Sequence, residues 1–115
     1  MNLTAGDLIK YVLNNRKGNA FRGYSEETIA HGIILALISN TLLYAINDKG
    51  EICGVAVGRI VNKTMQVNDI LTTERWVFRS FVQRYKQLWP SLPITGYRGG
   101  KYTEYNTPKL LNKFN

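Results

Sequence analysis

The segment Ile52–Val61, ICGVAVGRIV, limits this chain's folding options more than any other stretch. It reads as a long strand, and Asn47-Asp48-Lys49-Gly50 before it has the residues of a tight turn, so Thr41–Ile46 predicts its hairpin partner. In an unbroken strand, Cys53, Val55, Val57 and Arg59 share one face. Ile52, Gly54, Ala56, Gly58 and Ile60 share the other. Three small residues on that second face imply a close neighbour, most simply a packed helix, with a ligand or a backbone as the alternative. Asn62-Lys63 predicts a second turn and Met65–Leu71 a third strand, so the middle of the chain reads as a three-stranded antiparallel meander.

Helical patterns flank it. Thr4 with Asp7 forms a box-like start, and Leu8, Ile9, Val12 and Leu13 recur at helical spacing up to Arg16-Lys17-Gly18. A loop follows, with Phe21 and Tyr24 as anchors that pack back. Ser25 caps a second helix with Glu26 and Glu27 in its first turn. Ile29–Ile38 is apolar almost all round, which predicts burial on several sides, and Ser39-Asn40 ends it. Thr72 or Thr73 caps a third helix, with Glu74 in its first turn, running to about Leu88. Val77, Phe78, Phe81, Val82, Tyr85, Leu88 and Trp89 form its apolar arc. A strand over Leu92–Tyr97, the turn Arg98-Gly99-Gly100-Lys101 and a last helical turn over Lys109–Phe114 complete the chain. At 115 residues this is one domain of α+β class, residues 1–115.

Charge is unevenly placed. Up to Thr72 there are seven Lys/Arg and six Asp/Glu; from Thr73 onward there are eight Lys/Arg and two Glu, so nearly all of the net +7 lies in the C-terminal part. A one-sided positive field gathers anions such as nucleic acid, a phosphorylated cofactor or an acidic protein. Arg75, Arg79 and Lys86 fall at one edge of the third helix's apolar arc, with Arg84 on its other side. They are either an ordinary solvated face or an anion-facing stripe. Arg98 and Lys101 flank a glycine pair whose amides suit a phosphate, although the same residues make a common hairpin turn. A lone Cys53 excludes an intrachain disulfide, and the chain shows neither a signal-peptide pattern nor an apolar run near the roughly 20 residues of a membrane span. A soluble, cytoplasmic protein with no membrane partner is the expectation.

The catalytic inventory is narrow. The single histidine, His31, sits in the most apolar helix, where a buried neutral imidazole is the expected role and a catalytic base the alternative. One His and one Cys argue against a zinc site, so no metal is expected. Asp69 is the one acid in the strand before the basic helix, suited to a general base or to pairing with Arg75. Tyr85, Tyr97, Tyr102 and Tyr105 offer acids or stacking surfaces.

The order helix, helix, meander, helix, strand resembles the core of the GNAT N-acetyltransferase fold over about residues 5–97. The likeness is one of topology, to a pared-down relative of the kind that phages and mobile elements carry. It implies acetyl-CoA bound between the third strand and the third helix, with Thr72, Thr73, Arg75 and Arg79 at its phosphates. It also implies Asp69, Tyr102 or Tyr105 in catalysis, tyrosine being the residue that commonly protonates the leaving thiolate. In that family a glycine-containing loop presents amides to the pyrophosphate. Here Leu71-Thr72-Thr73-Glu74-Arg75-Trp76 stands in its place, without glycine and with Glu74 where the anion would sit. The implied function is acyl-CoA-dependent N-acyl transfer with a degenerate cofactor loop. The alternative is a non-catalytic module that binds nucleic acid or an acidic protein through Arg75, Arg79, Arg84, Lys86, Arg98 and Lys101, with Trp76, Tyr97 and Tyr102 for stacking.

Overall fold

The structure, a computed structural model, describes residues 3–16, 21, 23–98 and 101–104. Its elements are α1 (Ala5–Asn15), α2 (Glu26–Ile38), β1 (Leu42–Ile46), β2 (Ile52–Val61), β3 (Thr64–Thr72), α3 (Arg75–Leu88), β4 (Ile94–Arg98) and β5 (Lys101–Glu104). The architecture is the α+β arrangement expected: two helices, an antiparallel meander, a helix and a further strand. The strands form one sheet in the order β1-β2-β3-β4-β5. All neighbours are antiparallel except β3 and β4, which run parallel because α3 carries the chain across between them. Among the described residues no helix is long and apolar enough to cross a membrane. The Lys109–Phe114 turn, Gly99 and Gly100 lie outside the described residues.

Local chemistry explains the element ends. Thr4 and Asp7 make a full capping box on α1, each accepting from the other's backbone N–H. The Ser25 hydroxyl accepts from Thr28 N–H to start α2. Asn40 ends α2 at φ 58°, and Thr41 N–H reaches back to the Ala36 carbonyl at 2.9 Å. Asn47 Oδ1 accepts from the Lys49 and Glu51 amides in the first hairpin, and Gly50 takes φ 79°. Asn62 and Lys63 both have positive φ, 51° and 60°, which suits a tight two-residue turn between β2 and β3. The third helix departs from expectation. Glu74 is its N-cap and makes no side-chain cap bond. Thr73 cannot serve, because its N–H and its hydroxyl both donate to the Cys53 carbonyl, at 3.0 and 3.3 Å.

The sheet is covered on both faces. Leu8, Tyr11 and Val12 of α1 and Ile29, Ile33 and Ala36 of α2 pack on Val55, Val57 and Leu71. Phe21 is buried among them, while Tyr24 is exposed and meets it edge-on. Val77, Phe81 and Tyr85 of α3 pack on the opposite face, over Cys53, Ala56, Met65, Val67 and Ile94. Leu88, expected in that apolar arc, is 44% exposed. The small residues of β2 seat α3, as expected. A Cβ on Gly54 would run into Val77 and lie 3.1 Å from the Phe81 ring. One on Gly58 would lie 3.0 Å from Met65 sulfur and 3.2 Å from the Tyr85 hydroxyl. That hydroxyl donates to the Thr41 carbonyl at 2.8 Å, and the Thr41 hydroxyl donates to the Gly58 carbonyl at 2.6 Å. A buried polar chain thus ties α3, β2 and the end of α2 together.

Two further expectations fail here. Cys53 does not share a face with Val55 and Val57. The β1–β2 register skips it, pairing Ala45 with Gly54 and Ile46 with Ile52, so it joins Ala56 under α3. The second helix is not buried all round: Ile34, Leu35, Leu37 and Ile38 are exposed, Ile38 at 72%. Only the stripe Ile29, Ile33, Ala36 meets the sheet, because α2 has α1 at one side and nothing packed on its outer face among the described residues.

Substituting Gly54→Val should cost about 1–3 kcal/mol or more, since the added methyls meet the branched Val77 side chain. Tyr85→Phe should cost about 1–3 kcal/mol by leaving the Thr41 carbonyl buried without its donor. Urea unfolding measures both; an unchanged midpoint for Gly54→Val would mean that α3 does not rest on this strand.

Candidate active site

Strand β3 holds the site, and a single extra residue creates it. The β2–β3 register pairs Val57 with Asp69 and then Gly58 with Val67, so Asn68 is bulged out of the ladder. Side chains alternate along a regular strand, and a bulge breaks that alternation. Met65 and Val67 therefore face α3, while Leu71, four residues beyond Val67, faces α1 and α2. Gln66, Asn68 and Asp69 all line a cleft beneath α2. Without the bulge, Asp69 and Leu71 would share the face of Val67.

The same bulge ends the pairing with β4. The parallel ladder contains Met65–Ile94, Gln66–Thr95 and Val67–Gly96, and stops. Past this point β3 continues to Thr72 and β4 to Arg98 without pairing to each other. The ladder thus ends one residue before the Asn68 bulge, on the side where β3 leads towards α3.

The cleft has a volume of about 990 Å³. Its floor is the polar run of β3 with Val57, Gly58 and Arg59 of β2. Its wall is α2, through Ile29, Gly32, Leu35 and Ala36, with Thr28, His31 and Ser39 at its polar points. His31 is exposed rather than buried, because helical geometry turns it away from the Ile29–Ile33 stripe. Gly32 stands mid-helix, where glycine costs about 0.5–1 kcal/mol relative to alanine. A Cβ built on it meets nothing within 4 Å. Packing gives no reason for this glycine; it leaves open space in the cleft wall.

Asp69 is half-buried, and its Oδ1 accepts from Phe21 N–H at 3.0 Å, its one hydrogen bond among the described residues. It makes no pair with Arg75. Desolvation dominates, outweighing the Phe21 bond, and pushes its pKa up to about 6 from an ordinary 3.8. A carboxylate so placed takes up a proton readily near neutral pH, as a general base must. Cys53 is not a competing nucleophile: it is buried, and desolvation raises its thiol pKa.

The other residues singled out from sequence lie elsewhere. Thr72 ends β3 and Thr73 is tied to Cys53, with the Tyr11 hydroxyl donating to the Thr73 hydroxyl at 3.4 Å. Arg75, Arg79 and Arg84 are exposed on α3 and Lys86 is half-buried. These cations occupy the α3 side of the sheet, opposite the Asp69 cleft. The Glu74 carboxylate accepts from Asn47 Nδ2 at 3.3 Å and from Trp76 Nε1. Arg98 and Lys101 face each other in the β4–β5 pairing, and Tyr102 pairs with Tyr97. Tyr105 lies outside the described residues.

Sequence reasoning found Asp69 but missed Arg59, Gly32, Gln66 and Asn68. One signal was present: adjacent polar residues, Asn68-Asp69, between Val67 and Ile70 in an otherwise alternating strand. No family model, curated protein or solved structure matches the chain.

The raised Asp69 pKa fixes the sign of a pH effect. Between about 3.8 and 6 the folded state holds a proton that the unfolded state has lost. Asp69 ionisation therefore costs stability as pH rises through this window, and the cost is complete above it. Asp69→Asn keeps the Phe21 acceptor and removes the cost. Its melting temperature should exceed that of the parent at pH 8, and the difference should vanish towards pH 4. A variant less stable than the parent at pH 8 would show that the carboxylate is a structural anchor.

Proposed function

We propose that the chain is an acyl-CoA-dependent N-acyltransferase of GNAT-like build, with Asp69 as general base. The observation that carries this reading is the end of the parallel β3–β4 ladder at Val67 and Gly96, next to the Asn68 bulge and a half-buried carboxylate. In this reading an acylated pantetheine arm lies between the strands beyond the end of the ladder, reaching from the basic α3 side towards the Asp69 cleft. On the α3 side, Arg75 and Arg79 would hold the phosphates. Thr72 is the last residue of β3, while Thr73 is committed to the Cys53 carbonyl. Glu74 is drawn aside by Asn47 and Trp76, which offsets part of its repulsion for an anion at the start of α3.

In this reading an ammonium group in the cleft gives its proton to Asp69, and the freed nitrogen is the nucleophile. Acyl-CoA supplies the thioester: the nitrogen bonds to its carbonyl carbon and gives up its second proton to water, the C–S bond breaks, and CoA leaves as the thiolate, which takes up a proton. Tyr102 on β5 is the acid proposed for that last step, with Tyr105 as the alternative residue. Desolvation suits Asp69 to its part, since a base with a pKa near 6 is ionised at pH 7 and still accepts a proton readily.

A second reading has support of its own. The exposed cations of α3 would bind nucleic acid or an acidic protein without catalysis. The two readings differ in what the arginines do for Asp69.

Acetyl-CoA should raise the melting temperature, by about 2.7 kcal/mol of added stability at 100 times its Kd. With an amine present, free thiol should appear, at a rate that climbs as pH passes through about 6 and is lost in Asp69→Asn. No thermal shift at millimolar acetyl-CoA together with no thiol would end the acyltransferase reading. Reversing Arg75 and Arg79 to Glu should abolish the shift and leave the fold intact. Binding of an oligonucleotide that weakens steeply with salt and disappears in the same variant, with no response to acetyl-CoA, would establish the second reading.

A further inference from the structure

The cleft floor carries a cation as well as a carboxylate. Arg59 pairs with Gln66 across β2–β3, and Asp69 pairs with Val57 two residues away. The two residues are diagonal neighbours on one face, with Cα atoms roughly 7–8 Å apart. The other β3 residues of this floor, Gln66 and Asn68, are neutral carboxamides, and both charged residues line the same cleft. Arg59 is exposed and forms no ion pair among the described residues, while Asp69 spends one oxygen on Phe21 N–H. A positive and a negative group thus stand on one floor without pairing with each other.

The wall above them is built to leave room. Gly32 faces this space, and a Cβ there would touch nothing. Glycine in mid-helix is unfavourable, and neither a turn nor a close packed neighbour requires it here. Leu35, half exposed on the same wall, offers apolar surface for a short carbon chain.

We propose that this cleft binds a small zwitterion, a primary amine and a carboxylate separated by several carbon atoms, with the ammonium at Asp69, the carboxylate at Arg59 and the carbon chain passing under Gly32. The floor's charges then match the ligand's one for one. A guanidinium grips a carboxylate through two parallel N–H donors. A doubly charged phosphate would leave one negative charge unmatched on the floor. The inference deepens the acyl-transfer reading by naming its acceptor, and it rests on that reading only for what happens to the amine after it binds.

Isotope-labelled protein titrated with 4-aminobutyrate, n-butylamine, butyrate and O-phosphoethanolamine provides the test, followed by amide NMR shifts. The expected result is tightest binding of 4-aminobutyrate, with shifts at residues 28–39, 57–59 and 66–69. Arg59→Met should weaken it by about tenfold or more and bring it level with n-butylamine. Gly32→Leu should remove binding while the spectrum stays folded, and Gly32→Ala, which adds a single methyl, should weaken it less. Equal binding of n-butylamine and 4-aminobutyrate to the parent would overturn the proposal. So would tighter binding of O-phosphoethanolamine, no binding of any probe, or an Arg59→Met variant that binds as the parent does. Thiol release from acetyl-CoA is read separately on the same samples. Binding of 4-aminobutyrate without thiol release keeps this inference and removes acyl transfer. Equal thiol release with n-butylamine and 4-aminobutyrate does the reverse.

Discussion

The whole fold rests on how closely α3 approaches β2. Gly54 and Gly58 remove the side chains that would hold the helix off, and Val77, Phe81 and Tyr85 occupy the space. Tyr85 goes further, because its hydroxyl crosses the core to the Thr41 carbonyl just past the end of α2. One buried side chain therefore links elements from both faces of the sheet. Losing this contact would expose the apolar underside of α3 and release β4, which is joined to β3 by only three residue pairs.

Within that frame, two bulges decide what each face presents. The one at Cys53 sends a thiol into the α3 core, where it is shielded from solvent. The one at Asn68 turns Asp69 towards α2 and ends the pairing with β4. A regular β3 would place Asp69 beneath α3, among residues that offer it no partner. A carboxylate in a cleft and the end of the parallel ladder thus meet at one inserted residue.

Much of this was legible from the sequence, for reasons that differ by element. The meander could be read because its turns carry Asn, Asp and Gly and its strands alternate; Ile52–Val61 was placed to the residue. The first two helices announced themselves through Thr4-Asp7 and Ser25. The burial of α2 could not be read, since a helix that is apolar on every side carries no directional signal. Its buried stripe depends on which helix lies beside it. Thr73 looked like a cap by residue type alone, but its hydroxyl is claimed by a strand twenty residues earlier in the chain. Asp69 was found because acids are scarce near the basic helix. Arg59 was passed over because an arginine near a strand end looks like ordinary surface, and its relation to Asp69 exists only in the register.

The sheet can also be seen as a septum. Cations from α3 lie on one side, and the polar cleft under α2 lies on the other. The partition between them is held by backbone pairing and not by the side chains of either surface. Substitutions under α2 can therefore reshape one chamber without disturbing the opposite surface. What is recognised on each side can drift independently, while the partition between the sides stays fixed.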